Sequence, residues 1–529
     1  MNKEYIRWLE FVSKEDKDIL SNMSEEEIDK SFNEDLEFGT AGIRGLMGLG
    51  NSRLNKYTIG KVTLGLANYL NKKYKDPSVV IGYDTRKNSR EFAFLTASIL
   101  NHNGIKTYIS KDIASTPLIS FATKYLNASS GIVITASHNP KEYNGYKVYG
   151  PNGGQIVSPV DKDILKEINL VDYTDVKESP ISNNLFNYIE KDVIDKFNKE
   201  NEKVIINKEI INKYADKLRI TYTSFHGTGI RTVPFILEKF GIRYNLVNEQ
   251  CKIDEEFSYA TSPNPEIEEN YILCKKYAEE LNSDVILASD PDSDRIGVLY
   301  NDNGIYKLLN GNLIGIIFLY YLLNNKKIIK GNYVVRSIVS SNLFDKIADY
   351  YRAEVKECLT GCKNIIAIKE KDPDNYLFGF EESLGYVFNI NVNDKNCFSS
   401  IIFMIEILCY LKSKNMSLRE YLEEIYSKFG YYSHKTISIT YDDLKEREKL
   451  INKIRKNNPF EGKMIDYLDS KELKSNTLKF ILNDNEYFMI RPSGTEPKLK
   501  IYFIVNDTDI IKSNNRLEAL IKRVKKELE

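Results

Sequence analysis

Residues 131–147, GIVITASHNPKEYNGYK, decide how this chain is read. Residues 132–135 are apolar or β-branched and read as a short buried strand, which the turn signal Asn139-Pro140 ends. Ser137 therefore stands where a strand opens into a loop, a position at which a rigid backbone presents a side chain to a ligand. The same letters also suit an ordinary turn. The remainder of the chain has to decide between chemistry and connection.

Working outward, β-type runs alternate with amphipathic helical segments: SVVIGYD, KTYIS, LRITYTS, VILASD and NYVVRSIVSS lie on either side of the opening stretch. That alternation is the rhythm of α/β units with largely parallel sheets. Polar stretches interrupt it at residues 177–201, 301–303 and 428–430. Past Gly430 the pattern changes to TISITY, a charged helical stretch over 442–456, then LKFIL, YFMI and KIYFIV before a last helix, which reads as an α+β domain. The partition expected is 1–190, 203–303 and 304–428 as three α/β domains and 429–529 as the α+β domain, carrying in turn the serine, metal, sugar and phosphate loops derived below.

A chain of 529 residues is too long for one core, since domains run about 100 to 200 residues. Its 74 Lys and Arg balance 75 Asp and Glu, for a formal net charge of −1. No general positive field points to nucleic acid or anionic lipid, so any phosphate binding must be local. The six cysteines are scattered through a long chain, which suits reduced thiols in a cytoplasm. Cys358 and Cys362 have no second pair at zinc-site spacing. The N-terminus mixes charge with apolar residues as a surface helix does. LIGIIFLYYLL, residues 313–323, is short of the roughly 20 residues a membrane span needs and reads as a buried helix.

In DVILASDPDSDRIGVLY, Asp290, Asp292 and Asp294 alternate in a loop between two apolar runs. Three carboxylates so close repel unless a cation neutralises them. A calcium hand needs glycine at its sixth position and glutamate at its twelfth, where this loop has Arg295 and Asn301. Three oxygen donors with other positions open suit magnesium completed by a phosphate oxygen. In YFMIRPSGTEPKLKIYFI, a strand ends at Arg491 and a small loop runs through Ser493, Gly494 and Thr495. Arginine grips phosphate through two donors, glycine lets backbone amides approach, and hydroxyls complete a cradle. In YLFGFEESLGYVF, Glu381, Glu382 and Ser383 offer acceptors for sugar hydroxyls, though a helix start explains them as well.

A serine loop, a metal loop, a polyol loop and a phosphate cradle together describe a phosphosugar site assembled between domains. TASHNP, DPDSDR, GFEES and RPSGTEPK, in this order, resemble the α-D-phosphohexomutase family and within it the phosphoglucomutase/phosphomannomutase group. The resemblance runs from FGTAGIRG to the last domain. It implies three α/β domains and a smaller α+β module around a central cleft.

By that resemblance, Ser137 is the phosphorylated residue, with His138 shaping its loop, and one Mg²⁺ per chain is held by Asp290, Asp292, Asp294 and an oxygen of phosphorylated Ser137. Arg44 and Lys147 match residues beside the reacting phosphoryl group. As a general acid or base, Lys147 would need a lowered proton affinity. Arg295 is expected to hold the phosphoserine or support the metal loop. Thr360, Gly361, Glu381 and Ser383 match the sugar side, while Arg491, Ser493, Gly494, Thr495 and Lys500 match the grip on the phosphate that stays. Lys395, aligned with a family DKDG segment, is expected at a proton transfer or a phosphate. Family members with GEMSGH carry a histidine after the sugar loop where this chain has Gly385 and Tyr386. TSFHGTG resembles a structural segment, and SPNPE a loop near the cleft.

The activity implied is interconversion of α-D-glucose 1-phosphate and glucose 6-phosphate through glucose 1,6-bisphosphate, in the cytoplasm, with a small-molecule sugar phosphate as partner and neither nucleic acid nor membrane. Mannose and pentose phosphates are rival substrates within the family. A serine hydrolase using Ser137 and His138 is a rival from another class; the GxSxG elbow is missing, and neighbours at a strand end usually point apart. A noncatalytic sugar-phosphate sensor is the other.

Overall fold

The computed structural model describes residues 2–36, 39, 42–441, 443–493 and 498–528. Gly494 and Thr495 of the expected phosphate cradle lie outside the described residues. The chain forms two compact units, residues 1–308 with 385–409, and residues 309–384 with 410–529.

In the first unit a six-stranded sheet has the order Gly42–Leu46, Tyr143–Tyr149, Ser130–Ile134, Ser78–Tyr83, Lys106–Ile109, Phe186–Tyr188. The strands Ser78–Tyr83, Lys106–Ile109 and Ser130–Ile134 are parallel, as the continuous apolar runs predict. Tyr143–Tyr149 returns antiparallel beside Ser130–Ile134 and pairs with Gly42–Leu46, so that Gly42 faces Lys147 in the register. The apolar faces of the helices Lys56–Lys73 and Ser89–His102 bury Ile59, Leu66, Ala93 and Leu100 against Val79, Ile81 and Ile132. The N-terminal helix Lys3–Phe11 lies on the surface as expected, yet its Trp8 is fully buried among Phe11, Phe32, Tyr57 and Tyr173.

The second sheet runs Ile305–Leu308, Ile296–Asp302, Val285–Ser289, Arg219–Thr223, Arg243–Leu246. Asn303-Gly304, where the sequence puts a domain boundary at 303, is instead the turn of a hairpin, because Ile305–Leu308 pairs with Ile296–Asp302. Asn303 with φ 54° and Gly304 with φ 90° have the left-handed backbone that tight hairpin turns require. Residues 385–409 cluster with this unit, Cys397 N–H donating to Ser293 O (3.2 Å) and Asn396 Nδ2 to Asn201 Oδ1 (2.6 Å).

In the second unit the parallel strands Glu354–Cys358, Tyr333–Ser337 and Tyr376–Glu381 lie side by side in that order. Helix Gly311–Asn325 is buried over nearly all its circumference, which accounts for its uniformly apolar sequence. The last sheet is wholly antiparallel, in the order Tyr431–Thr440, Lys498–Asp507, Glu486–Pro492, Leu478–Asn483, Lys463–Asp466. One of its faces is covered by Leu444–Asn457 and Ile510–Leu528, whose Ile451, Ile454, Leu517, Ile521 and Val524 pack on Phe480, Phe488, Ile501 and Phe503. No helix among the described residues is long and apolar enough to cross a membrane.

Candidate active site

The strand Ser130–Ile134 delivers Thr135 and Ala136 to a turn in which Ser137 adopts φ 53°. That left-handed conformation is disfavoured for a residue with a Cβ by roughly 1–2 kcal/mol, and the surroundings hold it. Ser137 N–H donates to Thr135 Oγ1 (2.8 Å), and Ser137 Oγ donates to Asp290 Oδ2 (2.8 Å). The same dihedral turns His138 back on its neighbour, with Nδ1 3.2 Å from Ser137 Oγ. The expectation that adjacent side chains at this strand end point apart therefore fails, since one left-handed residue reverses their direction. Burial, together with the charges of Arg295 and Arg44, holds the His138 imidazole well below its usual pKa and neutral.

Asp290, Asp292 and Asp294 lie between the strands Val285–Ser289 and Ile296–Asp302, each at most 1% exposed, with one oxygen from each within 4.8 Å of the others. Asp290 Oδ1 accepts the N–H groups of Asp294 (3.1 Å) and Arg295 (3.0 Å), which curls the loop around it. Asp292 Oδ2 accepts from Thr116 Oγ1 (2.7 Å), and Thr116 N–H donates to Asp292 O (2.9 Å). Thr116 opens the helix Thr116–Tyr125, which Ser115 caps and Pro117 starts. Burial and the charges of Asp294 and Asp292 push the Asp290 carboxyl well above the usual range, whereas, against burial, Lys147 and Thr116 hold Asp292 below it. The loop TSFHGTG buttresses this turn: a Cβ on Gly227 would stand 2.4 Å from Pro291 Cα, and Thr228 N–H donates to Pro291 O (2.8 Å).

Cations from two further elements meet the trio. Lys147, on Tyr143–Tyr149, puts Nζ 2.6 Å from Asp292 Oδ2 and 3.3 Å from Asp294 Oδ2. Burial alone would lower its pKa, but Asp292 and Asp294 hold it above the ordinary lysine value. These two contacts fix the Lys147 side chain beside the trio. Lys395 Nζ reaches Asp294 Oδ2 at 3.1 Å. Its stem passes over Gly385, where a Cβ would lie 2.2 Å from Lys395 Cδ, so a larger residue at the point where the sequence departs from the histidine-bearing relatives would displace the lysine. Arg295 sits 4.0 Å from Glu266 of SPNPE and 3.8 Å from Asp294. Arg44 is exposed and donates to Asn139 Oδ1 (3.1 Å), beside the Ser137 turn.

The second unit brings other predicted residues together. Glu381 ends the strand Tyr376–Glu381, and Glu381 Oε1 accepts the Gly361 N–H at 2.5 Å, joining the loop that contains Thr360 and Gly361 to GFEES. GFEES is therefore a strand end followed by a turn through Glu382 and Ser383, and the alternative of a helix start falls away. Glu382 Oε2 accepts from Ser337 Oγ (3.0 Å). Arg491 lies near the end of Glu486–Pro492, opposite Lys500 in register, so two cations stand side by side. Ser493 N–H donates to Lys498 O (2.9 Å), and Ser493 O accepts from Arg447 (2.5 Å). Tyr502 lies on the same sheet face as Arg491, and burial and the Glu382 and Glu381 charges raise its pKa, so the sugar loop and the Arg491 grip share an electrostatic environment.

Sequence reasoning missed Arg86, Asp84, Thr116 and Tyr502. A signal for the first two existed: Asp84-Thr85-Arg86 follows the carboxyl end of the parallel strand Ser78–Tyr83, the end at which α/β sheets bind ligands. Thr116 and Tyr502 carry none, because their partners are distant in sequence.

The fold and the site define an α/β protein with a buried carboxylate trio that could hold a cation. The four profiles of phosphoglucomutase/phosphomannomutase, alpha/beta/alpha domains I, II and III and C-terminal domain, match residues 35–174, 195–304, 310–429 and 441–515. A phosphoglucomutase of Staphylococcus haemolyticus is 37% identical over 513 residues, covering 90% of this chain and 92% of that one. Among solved structures, the phosphoglucomutase parafusin of Paramecium in an open form is similar, with TM-score 0.71 and 18% identity over 94% of this chain and 95% of that one. N-acetylphosphoglucosamine mutase of Aspergillus fumigatus, solved with GlcNAc-6P and magnesium, gives TM-score 0.53 and 13% identity over 94% and 97%. The chain belongs to the phosphoglucomutase/phosphomannomutase family. It is an enzyme of the isomerase class that acts by phosphoryl transfer.

Proposed function

We propose that this enzyme interconverts α-D-glucose 1-phosphate and glucose 6-phosphate, with phosphorylated Ser137 as the phosphoryl donor, glucose 1,6-bisphosphate as the intermediate and activator, and one Mg²⁺ at Asp290, Asp292 and Asp294. The observation that carries the reading is the 2.8 Å bond from Ser137 Oγ to Asp290 Oδ2, across two sheets of the first unit. A divalent cation fits the trio, because Asp292 Oδ1 and Asp294 Oδ1 are buried without a hydrogen-bond partner and the donor set is all oxygen. When bound there, Mg²⁺ supplies charge stabilisation to the transferring phosphoryl group.

This chain's residues account for the rest. In the first transfer the Ser137 Oγ–P bond breaks as a sugar hydroxyl oxygen bonds to phosphorus, and the proton of that hydroxyl ends, net, on Ser137 Oγ. The second transfer reverses these bonds with the bisphosphate turned end for end. Lys147, Lys395 and Arg295 provide fixed positive charge around the reacting group. Glu381 and Ser383 accept from or donate to sugar hydroxyls, while Arg491, Ser493, Gly494, Thr495 and Lys500 hold the phosphate that stays, with Arg491 offering the two-donor grip. Thr360 and Gly361 line the sugar side through the Gly361–Glu381 bond. With the second boundary moved past the strand Ile305–Leu308, a partition into 1–190, 203–308, 309–428 and 429–529 gives each domain one of these loops. Six cysteines scattered through a long chain favour a reducing cytoplasm.

GFEES and relatives named phosphoglucomutase favour glucose over mannose or pentose. Parallel assays of glucose, mannose and ribose 1-phosphates, each with Mg²⁺ and its bisphosphate, test this. Glucose is expected to give the highest kcat/KM, and a higher value for either rival overturns the substrate assignment.

A further inference from the structure

Behind the Ser137 turn, Arg86 is buried to 2% exposure and directs its guanidinium at backbone carbonyls of the turn. Its Nη2 donates to Ser137 O (2.5 Å) and Asn139 O (2.6 Å), and its Nη1 to Pro140 O (2.8 Å) and Tyr143 O (3.1 Å). Its Nε lies 3.2 Å from Asp84 Oδ2. Asp84 in turn accepts from Thr135 Oγ1 (2.6 Å), and Thr135 Oγ1 accepts the N–H of Ser137 (2.8 Å). The circuit closes on one residue: the C=O of Ser137 is held by Arg86, and its N–H is held, through Thr135, by the carboxylate paired with Arg86.

That circuit encloses a left-handed serine whose hydroxyl points at Asp290. A planar fork with donors on two nitrogens can bind four carbonyls at once, which a single ammonium cannot do in the same geometry. The guanidinium also lies 5.0 Å from the ring centroid of Phe257, in the loop after the strand Arg243–Leu246 of the second sheet. The clamp therefore touches the serine turn and a loop of the domain that carries the carboxylate trio. Asp84 is itself fixed by Ser89 Oγ (2.8 Å) and the Arg86 N–H (3.0 Å), so the pair is a rigid support.

The geometry points to Arg86 as a positioning residue for phosphoryl transfer, which with Asp84 holds Ser137 in the conformation that aims its oxygen at the metal loop. The inference rests on the reading of Ser137 as the phosphoryl carrier. Arg86 does not touch substrate; its effect runs through the backbone of residues 137–143.

The test uses full-length Arg86→Lys and Arg86→Ala with Mg²⁺, glucose 1-phosphate and glucose 1,6-bisphosphate. Misplacing a reacting atom by an ångström costs about 100-fold, so kcat is expected to fall by about that factor in both variants with KM changed by less than about threefold. Guanidinium ion added to Arg86→Ala is expected to restore about tenfold of the loss, a response that general destabilisation does not give. Amide exchange in residues 137–143 is expected to quicken in Arg86→Lys while the strand Ser78–Tyr83 keeps its protection. A kcat for Arg86→Lys within about threefold of the parent, or unchanged exchange in 137–143, overturns the inference. Should Arg86→Ala not fold, Arg86→Lys and Phe257→Leu, which removes only the stacked ring, decide it by the same two readings. The exchange result does not depend on turnover. Faster exchange in a protein whose parent never acquires phosphate on Ser137 would leave the clamp standing and count against the carrier reading alone.

Discussion

Ser137, Asp290, Asp292 and Asp294 in the first unit are each at most 2% exposed and tied to several partners, whereas in the second unit Arg491, Ser383 and Ser493 are half-buried and Lys500 is exposed. The two regions solve opposite problems. A transferring phosphoryl group needs charges fixed in advance in a dry place, because reorganising them during the reaction would cost what catalysis is meant to save. A sugar that must bind in two orientations needs donors that stay solvated until it arrives. Buried carboxylates in the first unit and accessible cations in the second suit that division of labour.

Asp292→Asn attacks the preset side and carries the largest expected effect. The variant removes one charge from the trio and weakens the partner of Lys147 (2.6 Å). Affinity for Mn²⁺ or Mg²⁺, read by titration calorimetry, is expected to drop by at least about 100-fold and kcat with it. Unchanged affinity would mean the cation sits elsewhere. Arg491→Lys attacks the open side. Losing the two-donor grip is expected to cost about 1.5–3 kcal/mol, expressed mainly as a raised KM for both glucose 1-phosphate and glucose 6-phosphate. A fall in kcat with KM unchanged would erase the contrast between the regions. Gly385→Ala is the mildest. Its new Cβ would stand 2.2 Å from Lys395 Cδ, so the lysine must shift off Asp294. Crowding of this size costs about 1 kcal/mol, to be read as a lowered thermal midpoint with a modest fall in kcat; a variant indistinguishable from the parent would show that the Lys395 stem has another route.

Legibility in the sequence followed the same division. The Ser137 turn and the acidic trio are contiguous, lie at the ends of apolar runs, and have chemistry their residue types announce. The α+β character of the last domain showed in its change of strand and helix pattern after Gly430, and Tyr431–Thr440 begins there. Other features depend on single dihedrals or on distant contacts. His138 was expected to point away from Ser137 because strand neighbours alternate, and one positive φ cancels that rule. Asn303-Gly304 was taken for a boundary because polar turn letters do not say whether the next strand belongs to the same sheet. Thr116 reaches Asp292 from 176 positions away and no local pattern encodes it, whereas Arg86, which reaches Ser137 from 51 positions away, is marked by its place after the carboxyl end of Ser78–Tyr83 but not by its partner. Lys147 was legible as a candidate site residue, but its carboxylate partners were not, since they come from another sheet.

The account stands or falls on Ser137 as the phosphoryl carrier. The direct measurement is peptide mapping by mass spectrometry after incubation of the full-length protein with Mg²⁺ and labelled glucose 1,6-bisphosphate, followed by a chase with unlabelled glucose 6-phosphate. The prediction is one labelled phosphoryl group on the peptide containing Ser137, discharged to sugar by the chase at a rate matching turnover. Label on another residue, or sustained turnover with Ser137 never phosphorylated, would contradict it.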